Sequence, residues 1–467
     1  MNHYDIVVIG CGAAGYNTAI RASQLGLAVA CVERASNVGG AAIQTDCIPS
    51  RLLLHASEVY ETALAGRYAR IGIDGVPTLN LSQMMTYKGT AIESMAKSAY
   101  TLLGRHGVTV IQGHATLAGA GCVVINGGDH VPPMLSATTI VIATGSEPIP
   151  LPSVAFDHQS VLHSADALSL DRVPRHLAIV GAGAVGVELG SIWRRLGSRV
   201  TLIERRERIC YWLDRDIALT FQRALRQQGI GIQLQTEVVG IDKTSDGVSL
   251  RLRTPASGEA TTFDAEMALV AIGRRPSTAG LNLASVGMHV NDGGSLRMHP
   301  GPATKPRGIW VVGDAAAGPM SMSKAEEEAI ACAEQIAGLP GFVNYAAIPS
   351  VLHTTPEVAM IGKTEDELRE TGIPYRVGYC PLSATARSAI CGASEGSVKL
   401  LVDARTNLIA GAHLIGAGAA ELVSQVAVAM EASMICEDFA RICHPYPTSA
   451  EALRQAAMAA GGWMMRA

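Results

Sequence analysis

The sequence predicts an α/β chain in which one strand–turn–helix–strand unit occurs twice and an α+β region follows. The repeat is the first observation behind this. Asp5–Glu33 reads DIVVIGCGAAGYNTAIRASQLGLAVACVE, and His176–Glu204 reads HLAIVGAGAVGVELGSIWRRLGSRVTLIE. Each copy has an apolar strand, a G-x-G-x-x-G turn, a helix-length stretch, a second apolar strand and a closing Glu. The second observation is that both units end alike, in Thr138–Pro148 (TTIVIATGSEP) and Met267–Pro276 (MALVAIGRRP), buried strands running into Gly and a turn. The third is Ser397–Gly416 (SVKLLVDARTNLIAGAHLIG), two apolar runs about a polar turn, which read as an antiparallel hairpin.

The totals agree. A chain of 467 residues exceeds one ordinary domain, and about three are expected. Apolar residues make up 48% and aromatics only 4%, so the cores are built from Ala, Val, Leu, Ile and Gly. A net charge of -4 gives no electrostatic reason to bind nucleic acid or an anionic membrane. Apolar runs such as Leu177–Gly190 are interrupted by Gly and too short to span a bilayer. The strand Tyr4–Gly10 begins with no basic leader before it, so a secretory signal is not expected. Ten cysteines without such a signal read as reduced thiols of a cytoplasmic enzyme. No C-x-x-C pair occurs, and no metal is expected.

The two glycine turns carry the chemistry. Gly10, Gly12 and Gly15 form the first, and Gly181, Gly183 and Gly186 the second; Glu33 and Glu204 each follow the third Gly by 18 positions. That is the dinucleotide fingerprint of Rossmann-like domains. The first Gly permits the tight turn, and the second lets backbone approach a pyrophosphate. The third lets the helix pack on its strand, while free helix N–H groups face the phosphate. The terminal carboxylate accepts from ribose hydroxyls. Relative to the second unit, the first carries an insertion that includes helices near Ser50–Ala65 and Leu81–His106. The expected architecture is a first dinucleotide-binding segment 1–148, a second dinucleotide-binding domain 149–272, a returning segment 273–343 and an interface domain 344–467.

Beyond these turns, the segments VGGAAIQTDCIPSRLLLHASE, IATGSEP, AIGRRP, VVGDAAAGPM, KAEEEAIACAE, PEVAMIGKTEDEL and YPTSAEALR are similar to those of the flavoprotein pyridine nucleotide-disulfide oxidoreductases, the dihydrolipoamide dehydrogenases above all. The resemblance covers nearly the whole chain. It implies FAD, a nicotinamide nucleotide and a homodimer whose active site is completed by the partner chain. By position, Gly10, Gly12, Ala14, Gly15 and Glu33 would hold the ADP half of FAD, and Gly39, Gly40 and Ala41 its pyrophosphate. Ala115, Thr144 and Gly145 would flank the adenosine end, Asp314 would bind ribitol, and Met320 would lie by the isoalloxazine. Arg51 stands at the cation position beside flavin N5, paired with Glu188. Gly181, Gly183, Ala184, Gly186, Glu204, Val238, Ala271, Gly273 and Arg274 would serve the nicotinamide nucleotide. Glu204 favours NAD(H), while Arg205, Arg206 and Arg208 leave NADP(H) open.

Two departures shape the functional expectation. The family's redox disulfide joins cysteines five positions apart; here those positions are Ala42 and Cys47. The family's catalytic base is a His five residues before a Glu; here Tyr446 precedes Glu451, and His444 reads as a surface or packing histidine. Tyrosine, titrating near ~10, is a poor base at neutral pH. The sequence thus points first to an FAD-dependent NAD(P)H oxidoreductase passing electrons from reduced flavin to a non-disulfide acceptor, a quinone or a second nicotinamide. The alternatives are a dihydrolipoyl dehydrogenase-type or single-cysteine thiol/disulfide reductase working through Cys47, and a non-enzymatic flavin-bearing sensor.

Overall fold

The computed structural model describes residues 2–127, 133–254, 258, 260–296 and 308–465. They divide into two compact units: 1–52, 82–149 and 273–343 form the first, and 53–81, 150–272 and 344–467 the second.

The first unit is built on a seven-stranded sheet. Its strands run in the order Thr109–Gln112, Val29–Glu33, Asn2–Ile9, Met134–Ile142, Cys122–Asn126 and His114–Leu117, and Ile309–Val311 adds parallel to Met134–Ile142. The Asn2–Ile9 strand is parallel to both neighbours, with Ile9 opposite Val32 on one side and Ile142 on the other. A strand covered on both faces is apolar throughout rather than alternating. Accordingly Ile6, Val7, Val8 and Ile9 are all buried. Helices Ala13–Gln24 and Met322–Ile336 belong to this unit, and Arg21 of the first pairs with Glu334 of the second at 2.6 Å.

A buried charge pair fixes the return of the chain to this sheet. Lys324 Nζ lies 3.2 Å from Glu328 Oε1, and both side chains are almost wholly enclosed. Lys324 Nζ donates to the Gly313 carbonyl at 2.9 Å, and the Gly313 N–H donates to Glu328 Oε2 at 2.8 Å. Both charges thus end on one glycine. Removing either partner would leave an uncompensated buried charge, costing about 3–5 kcal/mol. The residue held in place by this arrangement is the neighbour, Asp314.

The second unit holds a five-stranded parallel sheet in the order Gly231–Gln233, Arg199–Ile203, His176–Val180, Met267–Val270 and Val161–Leu162. An antiparallel meander of Glu237–Thr244, Gly247–Arg253 and Ala260–Ala265 is inserted in sequence before the strand Met267–Val270. The C-terminal part of the unit is a five-stranded antiparallel sheet containing the hairpin Ser397–Asp403 and Ile409–Ile415. Helices Ala419–Glu431, Cys436–Arg441 and Ala450–Ala460 bury their apolar faces in its core. Among the described residues no helix is long and apolar enough to cross a membrane.

Two glycine turns and the loop before Cys47

The first turn is dictated by steric limits. Gly10 has φ +99°, and a Cβ there would lie 2.5 Å from the Ala143 carbonyl oxygen. A Cβ at Gly15 would lie 1.8 Å from the Gly10 carbonyl oxygen, so only Gly lets the helix start this close to its strand. Gly12 caps the helix Ala13–Gln24 without any side-chain hydrogen bond, which leaves first-turn N–H groups for an anion. Across from it, the Gly39 N–H donates to the Cys11 carbonyl at 2.8 Å, and Gly12 and Gly39 form an isolated parallel bridge. Gly40 and Ala41 begin the short helix Gly40–Gln44 behind them. Glu33 is oriented by backbone: Oε2 accepts from Cys11 N–H at 2.7 Å and Oε1 from Ala35 N–H at 2.9 Å.

The second turn repeats this geometry. Gly181 has φ +100°, its Cβ would meet the Ala271 carbonyl oxygen at 2.4 Å, and one at Gly186 would meet the Gly181 oxygen at 2.1 Å. Glu204 accepts from Ala182 N–H and from Arg206 N–H, both at 2.9 Å. Gly183 caps the helix Ala184–Arg195 without a side-chain bond. Val238 is buried in the meander, and Ala271 follows the strand Met267–Val270. Of the arginines after Glu204, Arg208 is buried and donates to the Tyr211 carbonyl at 3.2 Å, and Arg206 stacks over the Tyr211 ring at 4.4 Å. Arg205 is exposed.

In the first unit, Ala14 packs against the Asp314 turn: a Cβ at Gly313 would come within 2.8 Å of Ala14 Cβ. Met320 is exposed just before the helix that starts at Met322. Ala115 lies buried in its strand, and Gly145 turns with φ +68°. Thr144 Oγ1 is buried with no hydrogen-bond partner among the described residues. A polar atom left so costs about 1–3 kcal/mol. This orphan, the glycine cradle and the backbone-held Glu33 are what a dinucleotide's hydroxyls and phosphates require, so the residues present fit FAD.

Among the described residues, Arg274 makes its contacts within the first unit. Arg274 and Gly273 belong to the first unit. Its Nη1 pairs with Asp46 at 2.8 Å, while Nε and Nη2 donate to the hydroxyl and carbonyl of Ser146, both at 2.8 Å. Ser146 in turn donates to Asp314 Oδ2 at 2.6 Å. A continuous chain of polar contacts therefore joins Asp314 to the residue before Cys47. Asp46 and Ser146 are the members sequence reasoning missed. Cys47 itself is half-buried and opens the helix Cys47–Leu64, in which Arg51 donates to Ser50 Oγ at 3.2 Å. Arg51 lies in the first unit and Glu188 in the second, where Glu188 is buried and accepts from His353 N–H at 2.9 Å.

Near the C-terminus, Glu451 is buried in the first turn of its helix and Tyr446 is largely exposed. His444 sits edge-on to Phe439 with ring centroids 6.4 Å apart. Burial, assisted by the Arg454 charge, holds its imidazole below the usual range.

Comparison with known proteins gives the same assignment along the whole chain. The family model described as pyridine nucleotide-disulphide oxidoreductase matches residues 4–329, and the dimerisation domain of that family matches 348–457. A protein named dihydrolipoyl dehydrogenase 3 from Pseudomonas putida is 48% identical over 466 residues and the full length of both chains. A leghemoglobin reductase of Glycine max is 38% identical, covering 97% of this chain and 87% of its own. The crystal structure of LpdA from Mycobacterium tuberculosis has the same fold, with a TM-score of 0.88 at 23% identity over 98% of this chain and 99% of its own.

These relatives overturn one expectation. The reading of Ala42 and Tyr446 as marks of a reductase for non-disulfide acceptors gave two positions more weight than the full length of the chain. Its 48%-identical relatives, from Pseudomonas putida and Pseudomonas aeruginosa, both carry the dihydrolipoyl dehydrogenase name. With two dinucleotide turns, a C-terminal dimerisation domain and these relatives, the chain belongs to the pyridine nucleotide-disulphide oxidoreductase family, flavoprotein enzymes that use FAD and NAD(H).

Proposed function

We propose that this protein is a dihydrolipoyl dehydrogenase-type oxidoreductase that interconverts a dithiol and its disulfide with NAD(H), using Cys47 as the one sulfur of its exchange segment. The full-length 48% identity to proteins of that name carries the reading. The overall reaction balances as dithiol plus NAD+ giving disulfide, NADH and a proton. FAD, when bound, relays the two electrons between sulfur and nicotinamide.

The chain's own residues would act as follows. Cys47 stands at the first position of an 18-residue helix, where the helix dipole favours an anionic sulfur. In the disulfide-reducing direction its thiolate attacks one substrate sulfur. The substrate S–S bond breaks, a bond forms between Cys47 and that sulfur, and the second substrate sulfur leaves as a thiolate. Breaking the mixed bond would take the two electrons that NADH supplies, and the hydride's proton with one from solvent would complete the dithiol. Ala42 offers no second sulfur, so no intramolecular disulfide can take up the electron pair. Tyr446 serves as a hydrogen-bonding group rather than a base, and the active site is completed across a homodimer.

NAD(H) is the preferred coenzyme in this reading. Both Glu204 oxygens are held by backbone amides, so the carboxylate stays where a 2′-phosphate would meet like charge. A cytoplasmic location and the domain limits 1–148, 149–272, 273–343 and 344–467 belong to the same proposal.

The test is turnover of lipoamide with NADH, and of dihydrolipoamide with NAD+, by the FAD-loaded protein. Turnover should be measurable in both directions and fall about a hundredfold or more in Cys47→Ser, while NADH still bleaches the flavin. A flavin that NADH reduces in a protein with no lipoamide turnover in either direction would refute the proposal.

A further inference from the structure

The expectation that no metal binds rested on the spacing of cysteines. Imidazoles and a carboxylate gather elsewhere, in the second unit, where His158, His163 and Asp166 bring one ligand atom each to within 4.8 Å of one another. The loop that carries His158 is pre-arranged. Asp157 Oδ1 accepts the N–H groups of Gln159, Ser160 and Val161 at 2.9, 2.8 and 2.8 Å, and Asp157 Oδ2 pairs with Lys243 at 2.7 Å. His158 is held at φ +62°, a left-handed conformation uncommon outside Gly but accessible to His, Asn and Asp. This turns its Nδ1 to 3.1 Å from both oxygens of Asp166.

His163 lies on the other side of Asp166. Its Nδ1 accepts the Ala165 N–H at 3.2 Å and lies 3.4 Å from Asp166 Oδ2, which itself accepts the His163 N–H at 3.0 Å. With the ring proton on Nε2, both atoms direct lone pairs to one point, which a cation would join. The His163 ring has T-shaped neighbours in Phe156 and His158, both at 5.2 Å. Ligands bonded to a tetrahedral first-row ion at about 2.0–2.1 Å stand roughly 3.3 Å apart; the two His–Asp separations here are 3.1 and 3.4 Å, and all three atoms lie within 4.8 Å of one another.

We propose that His158, His163 and Asp166 form a binding site for a divalent first-row cation, with water completing its shell. Two imidazole nitrogens and a carboxylate oxygen suit ions of the zinc, nickel and cobalt type rather than magnesium or calcium. Binding draws His163 Nδ1 away from the Ala165 amide and ties the loop of His158 to the helix Ser164–Ala167. Because the intervening strand Val161–Leu162 pairs with Met267–Val270, the ion would brace the end of the parallel sheet.

The probe is Ni2+, titrated calorimetrically into the FAD-loaded full-length protein carrying Cys391→Ser and Cys443→Ser, which removes the two exposed thiols. One Ni2+ per chain should bind. His158→Asn tolerates the left-handed backbone, and Asp166→Asn keeps an acceptor for His163 N–H. Each should weaken binding about tenfold or more. Ni2+ should raise the melting temperature of the parent but not of either variant, and the ion-free melting temperatures show that the variants are folded. Absence of saturable binding below millimolar Ni2+, or variants that bind within about twofold of the parent, would mean that His158 and Asp166 merely share a proton, and the site would be withdrawn.

Discussion

The two glycine turns obey one steric rule but differ in what stands opposite them. At the first, the backbone of Gly39 and Gly40 comes across the turn: a Cβ at Gly12 would meet Gly40 Cα at 3.5 Å, and Gly39 is hydrogen-bonded to Cys11. At the second, nothing among the described residues lies within 4 Å of a Cβ on Gly183. The first turn would thus offer a pyrophosphate backbone from two segments, and the second, within its own unit, from one. The same sequence unit thereby gives a more enclosed turn suited to a resident cofactor and a more open one suited to a coenzyme that comes and goes each turnover. The difference lies in the Gly39–Gly40 segment, outside both motifs.

The two turns should separate most sharply in substitutions of their third glycines. Gly15→Ala places a methyl 1.8 Å from the Gly10 carbonyl oxygen, and Gly186→Ala places one 2.1 Å from that of Gly181. Neither neighbour is a flexible side chain, so the helix start must move. Gly15→Ala should raise the Kd for FAD about tenfold, the equivalent of ~1.4 kcal/mol, within the range for overpacking, and lower the FAD content of the purified protein. Gly186→Ala should keep its FAD and lose reduction by NADH at ordinary concentrations. Absorbance at the flavin maximum relative to protein, with a stopped-flow NADH trace, reads both. A Gly186→Ala protein that purifies without FAD would show that the two sites are not independent.

How much of this was legible depended on how local the cause is. Gly10, Gly15, Gly181 and Gly186 are each required by a clash with a carbonyl a few residues away or on the adjoining strand, so the constraint is written into single positions. The hairpin about Arg405–Asn407 follows equally from two apolar runs and the composition of the turn between them. The Asp46–Arg274–Ser146–Asp314 chain could not be read that way, because its members lie 128 and 168 positions apart and each has an ordinary local role. Arg274 is implied as a coenzyme ligand by resemblance alone, and its contacts to Asp46 and Ser146 follow no local pattern. The cluster of His158, His163 and Asp166 lies within nine positions of sequence, but only the left-handed turn at His158 brings its imidazole to Asp166.

That network sharpens the comparison at the enclosed site. Arg274→Gln removes the ion pair to Asp46 and the paired bonds to Ser146, interactions of a partly buried charge worth about 1.5–3 kcal/mol. Asp46 would then have lost its Arg274 partner one residue from Cys47. Lipoamide turnover should fall about tenfold, whereas the KM for NADH should stay within about twofold, since the arginine is engaged in the first unit. A KM for NADH that rises with kcat unchanged would return Arg274 to the coenzyme site.

The smallest effect is expected from the acid of the open turn. Glu33 and Glu204 are held by equivalent pairs of backbone amides, at 2.7 and 2.9 Å in one case and 2.9 Å for both in the other. Glu204→Gln keeps one oxygen acceptor and removes the negative charge. One of the two amides then faces an NH2 group rather than an oxygen, which loosens the side chain. Loss of a charge-assisted bond to ribose should raise the KM for NADH several-fold, about 1 kcal/mol, and leave kcat nearly unchanged because the reacting ring is remote from this hydroxyl. NADPH should gain over the same substitution, since the like charge opposing its 2′-phosphate is gone while exposed Arg205 stays nearby in sequence. The ratio of kcat/KM for the two coenzymes, measured on parent and variant at fixed ionic strength, isolates the effect from any change in stability. An unchanged ratio would mean that the backbone-held carboxylate does not face the ribose, and that the two turns, alike in their glycines, do not read their nucleotides alike.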